Sequence, residues 1–159
     1  MNKRWSTASL VAFVGLSLFG FGISAAVAGP TSIPVKASVS GTLTPTSPST
    51  FALAATGNSN HLGKISYAGT VTIVSTDSDG VLTTTLTETL TATNGDTLTL
   101  SCNQVAYPVS PGVYHGIDQW TIVGGTGHFS GATGSGTGTT DADLNQGTFT
   151  KDMSGSMNK

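Results

Sequence analysis

The stretch from Val81 to Ala92, VLTTTLTETLTA, constrains the fold of this chain more than any other segment. Under a two-residue repeat Leu82, Leu86 and Leu90 share one face, and threonines occupy the other. Threonine is β-branched and suits a pleated, half-wet surface, so the alternation predicts a strand with one dry side. The pattern recurs along the chain. Val35, Ala37, Val39 and Leu43 alternate with Lys36, Ser38, Ser40 and Thr42. Phe51, Leu53 and Ala55 form a second such face, and Ile65, Tyr67, Val71 and Ile73 a third. Leu98, Leu100, Cys102 and Ala106 form another. No segment after the first thirty residues repeats with the 3.6-residue period of a helix.

Turn signals punctuate these runs: TPTSPST at 44–50, GNSN at 57–60, DSDG at 77–80, NGD at 94–96 and PVSPG at 108–112. Gly124-Gly125 and the string GATGSGTG follow. Asn94-Gly95 suits a tight primed hairpin turn, which needs positive φ at both central residues. About eight short strands joined by short links predict an all-β, up-and-down antiparallel barrel. Closure also removes the exposed edges that such strands would present. An eight-stranded barrel has an interior just wide enough to fill with side chains or to hold one small ligand.

The start of the chain reads differently. Lys3 and Arg4 precede the apolar run LVAFVGLSLFGFGISAAVA, which ends in Ala26-Val27-Ala28, a small-x-small cleavage pattern. This predicts a secretory signal peptide over 1–28 and a barrel domain over 29–159, hence export to a periplasm or the medium. The domain keeps four lysines, no arginine and eight acids, a net charge of −4. No basic footprint for nucleic acid or anionic lipid is present, so neither nucleic acid nor, after cleavage, a membrane is an expected partner. Cys102 is the sole cysteine. The domain therefore has no internal disulfide, and a packed core must hold it together.

Three segments resemble a recurring set of exported bacterial β-barrel proteins related to the allene oxide cyclase-like and dirigent-like barrels. They are His61-Leu62-Gly63-Lys64, Ala92-Thr93-Asn94-Gly95-Asp96-Thr97-Leu98, and Gly124-Gly125-Thr126-Gly127-His128-Phe129-Ser130-Gly131-Ala132-Thr133-Gly134. They stand in the family's order, and the resemblance spans roughly residues 35–157. It implies a calycin-like or allene oxide cyclase-like eight-stranded barrel with a lumen for apolar small molecules. In relatives such a lumen guides cyclisation or coupling largely by shape. The family commonly has arginine where this chain has His128, so a permanent charge is not expected there. No local motif matches the relatives' catalytic residues.

Glu88 is the residue that poses a chemical question, because its parity places it with the leucines. A buried carboxylate must find partners or become neutral. Lys151, which shares parity with Phe149 and Met153, and Gln104, on the face of Leu98 and Cys102, are the candidate partners. Alternatively Glu88 serves as a general base or acceptor for a ligand in the lumen. Tyr67, Cys102, Gln104, Tyr114 and Trp120 are the candidate ligand-binding residues, Tyr114 sharing parity with Asp118, Trp120 and Ile122. The three histidines, His61, His115 and His128, have no recognised ligand spacing, and DSDG reads as a turn rather than a calcium loop. The sequence calls for no metal and no cofactor. There is also no G-x-S-x-G elbow for hydrolysis.

Three functions fit these features: a carrier of a small apolar molecule, a cyclase or isomerase acting by confinement, and an interaction module with a solid barrel. Interior volume separates the first two from the third.

Overall fold

The computed structural model describes residues 31–159, so the signal sequence expected over 1–28 lies outside the described residues. Eight strands form, at β1 (Ser32–Ser47), β2 (Thr50–Ser59), β3 (Gly63–Thr76), β4 (Leu82–Ala92), β5 (Thr97–Ser110), β6 (Val113–Gly125), β7 (Thr133–Asp143) and β8 (Thr148–Asn158). Each pairs antiparallel with the next, and β8 pairs back onto β1 to close the barrel. The order is up-and-down throughout. The seam sets Ala37 opposite Met153 and Val39 opposite Lys151.

The two-residue repeat decides which side chains fill the interior. Val35, Ala37 and Val39 of β1 are buried, as are Leu86, Glu88 and Leu90 of β4 and Leu98, Leu100 and Cys102 of β5. Each fully buried leucine contributes roughly 1.5–3 kcal/mol relative to exposure. The threonines between them, such as Thr83, Thr85 and Thr87, face solvent.

The two ends of the barrel are built differently. One end carries the β2–β3, β4–β5 and β6–β7 connections and is plugged by Leu62, Phe129 and Ala132, all buried. Phe129 enters through a single 3-10 turn, Gly127–Phe129. The opposite end carries the β1–β2, β3–β4, β5–β6 and β7–β8 connections, and there the interior communicates with solvent.

Two local expectations are corrected. The Asn94-Gly95 link is not a primed turn, because among the described residues no residue other than glycine has positive φ. Gly95 alone takes φ +90°, following a turn closed by Gly95 N–H donating to the Ala92 carbonyl. Asn94 instead uses its side-chain oxygen to accept from the Asp96 N–H, which supplies locally what a left-handed backbone would have provided. The glycine-rich string from Gly131 is the second correction. From Thr133 onward it is strand β7, not a turn. Its glycines make room for a neighbour: a Cβ on Gly136 would lie 2.3 Å from the ring of Trp120, and one on Gly155, opposite in β8, 2.5 Å. DSDG does form a turn, with Asp77 Oδ1 accepting from the N–H groups of Asp79 and Val81.

Candidate functional site

Glu88, Asp118 and Lys151 meet inside the barrel at mid-depth. β4 turns Glu88 inward beside Leu86 and Leu90, β6 turns Asp118 inward beside Trp120, and β8 brings Lys151 between Phe149 and Met153. Both carboxylates are 0 % exposed. The ammonium bridges them: Nζ donates to Glu88 Oε1 at 2.5 Å and lies 3.2 Å from Asp118 Oδ2. Further donors complete the shell. The Cys102 thiol donates to Glu88 Oε2 at 3.2 Å. Gln104 Nε2 and the Thr140 hydroxyl donate to the two oxygens of Asp118, at 2.7 and 2.9 Å. The Thr84 hydroxyl in turn donates to Gln104 Oε1 at 3.0 Å. Charges buried this deeply persist only when paired and hydrogen-bonded, and this set is both.

The network acts on the groups around it. Burial disfavours the Lys151 ammonium, but the charges of Glu88 and Asp118 outweigh that cost and raise the lysine above its ordinary range. Burial, then the charge of Glu88, pushes the Cys102 thiol well up, so it is no nucleophile at neutral pH. Burial, then the charge of Glu88 and the approach of the hydroxyl to that carboxylate, raise Tyr67 well above an ordinary phenol.

Above this polar layer, toward the open end, lies a cavity of about 60 Å³. Phe51, Leu82, Tyr114, Ala142 and Phe149 form much of its apolar wall. Lys151, Gln104, Thr84, Thr140 and Tyr67 also line it. Tyr67 packs on Phe149 with ring centroids 5.9 Å apart. Its hydroxyl is buried and makes no hydrogen bond among the described residues.

The candidate residues named from sequence therefore separate by depth. Tyr67, Gln104 and Tyr114 stand on the cavity wall. Glu88 does not: Lys151 is on the wall, and Glu88 is fully buried against it. Cys102 and Trp120 are also off the wall and belong to the packed interior, with the Trp120 indole N–H donating to the Thr137 carbonyl at 3.1 Å. Of the two expected partners of Glu88, Lys151 bonds it, whereas Gln104 bonds Asp118. Asp118 is the member that sequence reasoning passed over as an ion partner. Its parity with Trp120 and Ile122 was the available signal. The histidines sit apart, His61 on the Pro34 carbonyl, His115 on Asp141 and His128 on Asp96.

The segments that carried the family resemblance all lie at the plugged end. His128 donates to Asp96 from both its backbone N–H and its ring, and these bonds hold the Asp96 carboxyl below the usual range. Thr97 and Thr126 exchange bonds beside them. Gly127 must be glycine here, since it has φ +55° and a Cβ would fall 1.7 Å from Asp96 Oδ1. These residues clasp two connections together and do not touch the cavity.

Fold and site together define a closed eight-stranded antiparallel barrel with a polar layer across its interior and one open end. No protein-family model and no curated protein matches the chain. Among solved structures, a pterocarpan synthase dirigent protein is similar, at 18% identity over 89% of this chain and 98% of that one, with a TM-score of 0.51. At that identity the likeness establishes a dirigent-like barrel fold.

Proposed function

We propose that this is an exported barrel that binds a small, mainly apolar molecule at its open end. The observation that carries the reading is the arrangement of the cavity: aromatic and aliphatic walls descending to a floor of fixed polar groups. That combination is how small-molecule sites obtain both affinity and orientation. The floor is held rigid by the ion network, so its donors are positioned before any ligand arrives. Export rests on the leader expected over residues 1–28.

The molecule is small. A cavity of about 60 Å³ falls well short of the roughly 300–1,000 Å³ that encloses a drug-sized ligand. A bound molecule therefore stays partly exposed at the mouth. The same small volume favours, as a second reading, a solid barrel that works through its outer surface. An enzymatic role for Glu88 draws no support from the geometry, because Lys151 stands at the wall and the carboxylate does not.

Plugging the mouth tests the reading. Ala142→Trp places an indole in the cavity entrance without touching the ion network. Ligand-observed NMR against a panel of small cyclic apolar compounds is expected to show binding to the native protein and its loss in A142W. Absence of binding to the native protein, or binding that survives the plug, contradicts it.

A further inference from the structure

We infer that the site selects a neutral ligand carrying one oxygen acceptor, a carbonyl or ether oxygen, and that the Tyr67 hydroxyl donates to it. This rests on the reading that the mouth binds a small apolar molecule, and narrows the class.

Three observations lead there. The first is the unspent donor. Tyr67 is 2 % exposed and lines the cavity, and its hydroxyl, though it approaches the Glu88 carboxylate, completes no well-formed hydrogen bond among the described residues. Buried polar groups are nearly always partnered, so a free one beside a cavity marks where a ligand atom belongs. The second is the count of unspent donors on the other polar residues that line the cavity. Lys151 has three N–H bonds and only two carboxylate partners, and Gln104 Nε2 has spent one of its two on Asp118. The Thr84 and Thr140 hydroxyls have already given their protons to Gln104 and Asp118, so the donors left among the lining groups are N–H bonds of Lys151 and Gln104 and the Tyr67 hydroxyl, which call for an acceptor. The third is charge. The charges of Glu88, Asp118 and Lys151 are paired with one another, so an ion of either sign entering this apolar cavity gives up its water without gaining a free counter-charge. Neutrality follows.

Burial and the charge of Glu88 raise the phenol well above its ordinary range, so it is a donor at neutral pH.

Four probes of one shape separate the possibilities: cyclohexanone, methylcyclohexane, cyclohexanecarboxylate and cyclohexylammonium. Dissociation constants for native protein and Tyr67→Phe are read by ligand-observed NMR at neutral pH. In the native protein cyclohexanone is expected to bind on the order of tenfold more tightly than methylcyclohexane, with both ions weaker than either. In Y67F the ketone's advantage falls to near unity, while methylcyclohexane binds as before. Y67F is expected to fold and to melt no lower than the native protein, since it deletes only an unpartnered hydroxyl.

Equal binding of ketone and hydrocarbon, or a ketone advantage that survives in Y67F, overturns the inference while leaving an apolar site in place. A marked drop in the melting temperature of Y67F also overturns it, because the hydroxyl is then spent within the protein. Failure of all four probes to bind contradicts the binding reading itself.

Discussion

Lys151 and Glu88 stand 63 positions apart in the chain and are joined by a 2.5 Å bond at the centre of the barrel. Asp118 completes the group from a third strand. The three residues tie β4, β6 and β8 across the interior, so the network fixes both the closure of the barrel and the floor of the cavity.

Removing one member should cost more than removing its charge alone suggests. Lys151→Met leaves two carboxylates buried without their cation, and a loss of about 3–5 kcal/mol is expected. Glu88→Gln leaves Lys151 paired with Asp118 and should cost less. Urea unfolding of the two variants checks the order. An E88Q variant less stable than K151M contradicts the assignment of Lys151 as the hub.

The glycine pair under Trp120 gives a second test. A Cβ on Gly155 would lie 2.5 Å from the indole and 2.3 Å from the Ser135 carbonyl. Gly155→Ala is expected to lose about 1–3 kcal/mol through overpacking. Trp120 is the single tryptophan of the 29–159 domain, so its fluorescence reports the displacement directly. Unchanged stability and emission count against the packing described.

Alkaline pH should weaken the fold. Tyr67, Cys102 and Lys151 all have raised folded values, Tyr67 and Cys102 by burial and then Glu88, Lys151 because its two carboxylates outweigh burial. As pH rises the unfolded chain releases these protons first, so it binds fewer than the native state and stability falls. The contribution is complete below about pH 8, where the unfolded thiol, phenol and ammonium are protonated, and declines from about pH 9 upward. Urea midpoints between pH 8 and 11 should fall in the native protein. Cys102→Ala and Tyr67→Phe should each flatten the decline, and a slope equal to the native one in both variants speaks against it.

The leader predicts a definite product. Mass spectrometry of protein recovered from the exported fraction should give a chain starting at Gly29, three residues before β1 begins at Ser32. Retention of residues 1–28 contradicts the export proposal.

Much of this was readable from the residues. The two-residue alternation was enough to turn Glu88 inward, and the turn signals between runs gave the strand count and the up-and-down order, because parity and turn chemistry are local properties of the chain. Lys151 could be named as its partner for the same reason. Depth could not be read. Parity says that Cys102, Gln104 and Trp120 point inward, but the strand stagger decides that only Gln104 of these three reaches the cavity. Asp118 was missed as an ion partner because its contacts come from β5, β7 and β8, each aligned by register rather than by any local motif. The string after Gly131 was misread because glycine marks turns by default, and the bulk of Trp120 that requires it there comes from another strand.

Methyl-detected NMR of the protein titrated with cyclohexanone tests the central claim, an apolar mouth above a charged floor, most directly. Leu82, Leu86 and Leu144 on the cavity wall should shift with saturation, while Leu98 and Leu62 at the plugged end stay still. Shifts confined to outward-facing Val105, Val109 and Val123, or none at all, would place any binding outside the barrel and leave the interior without a ligand.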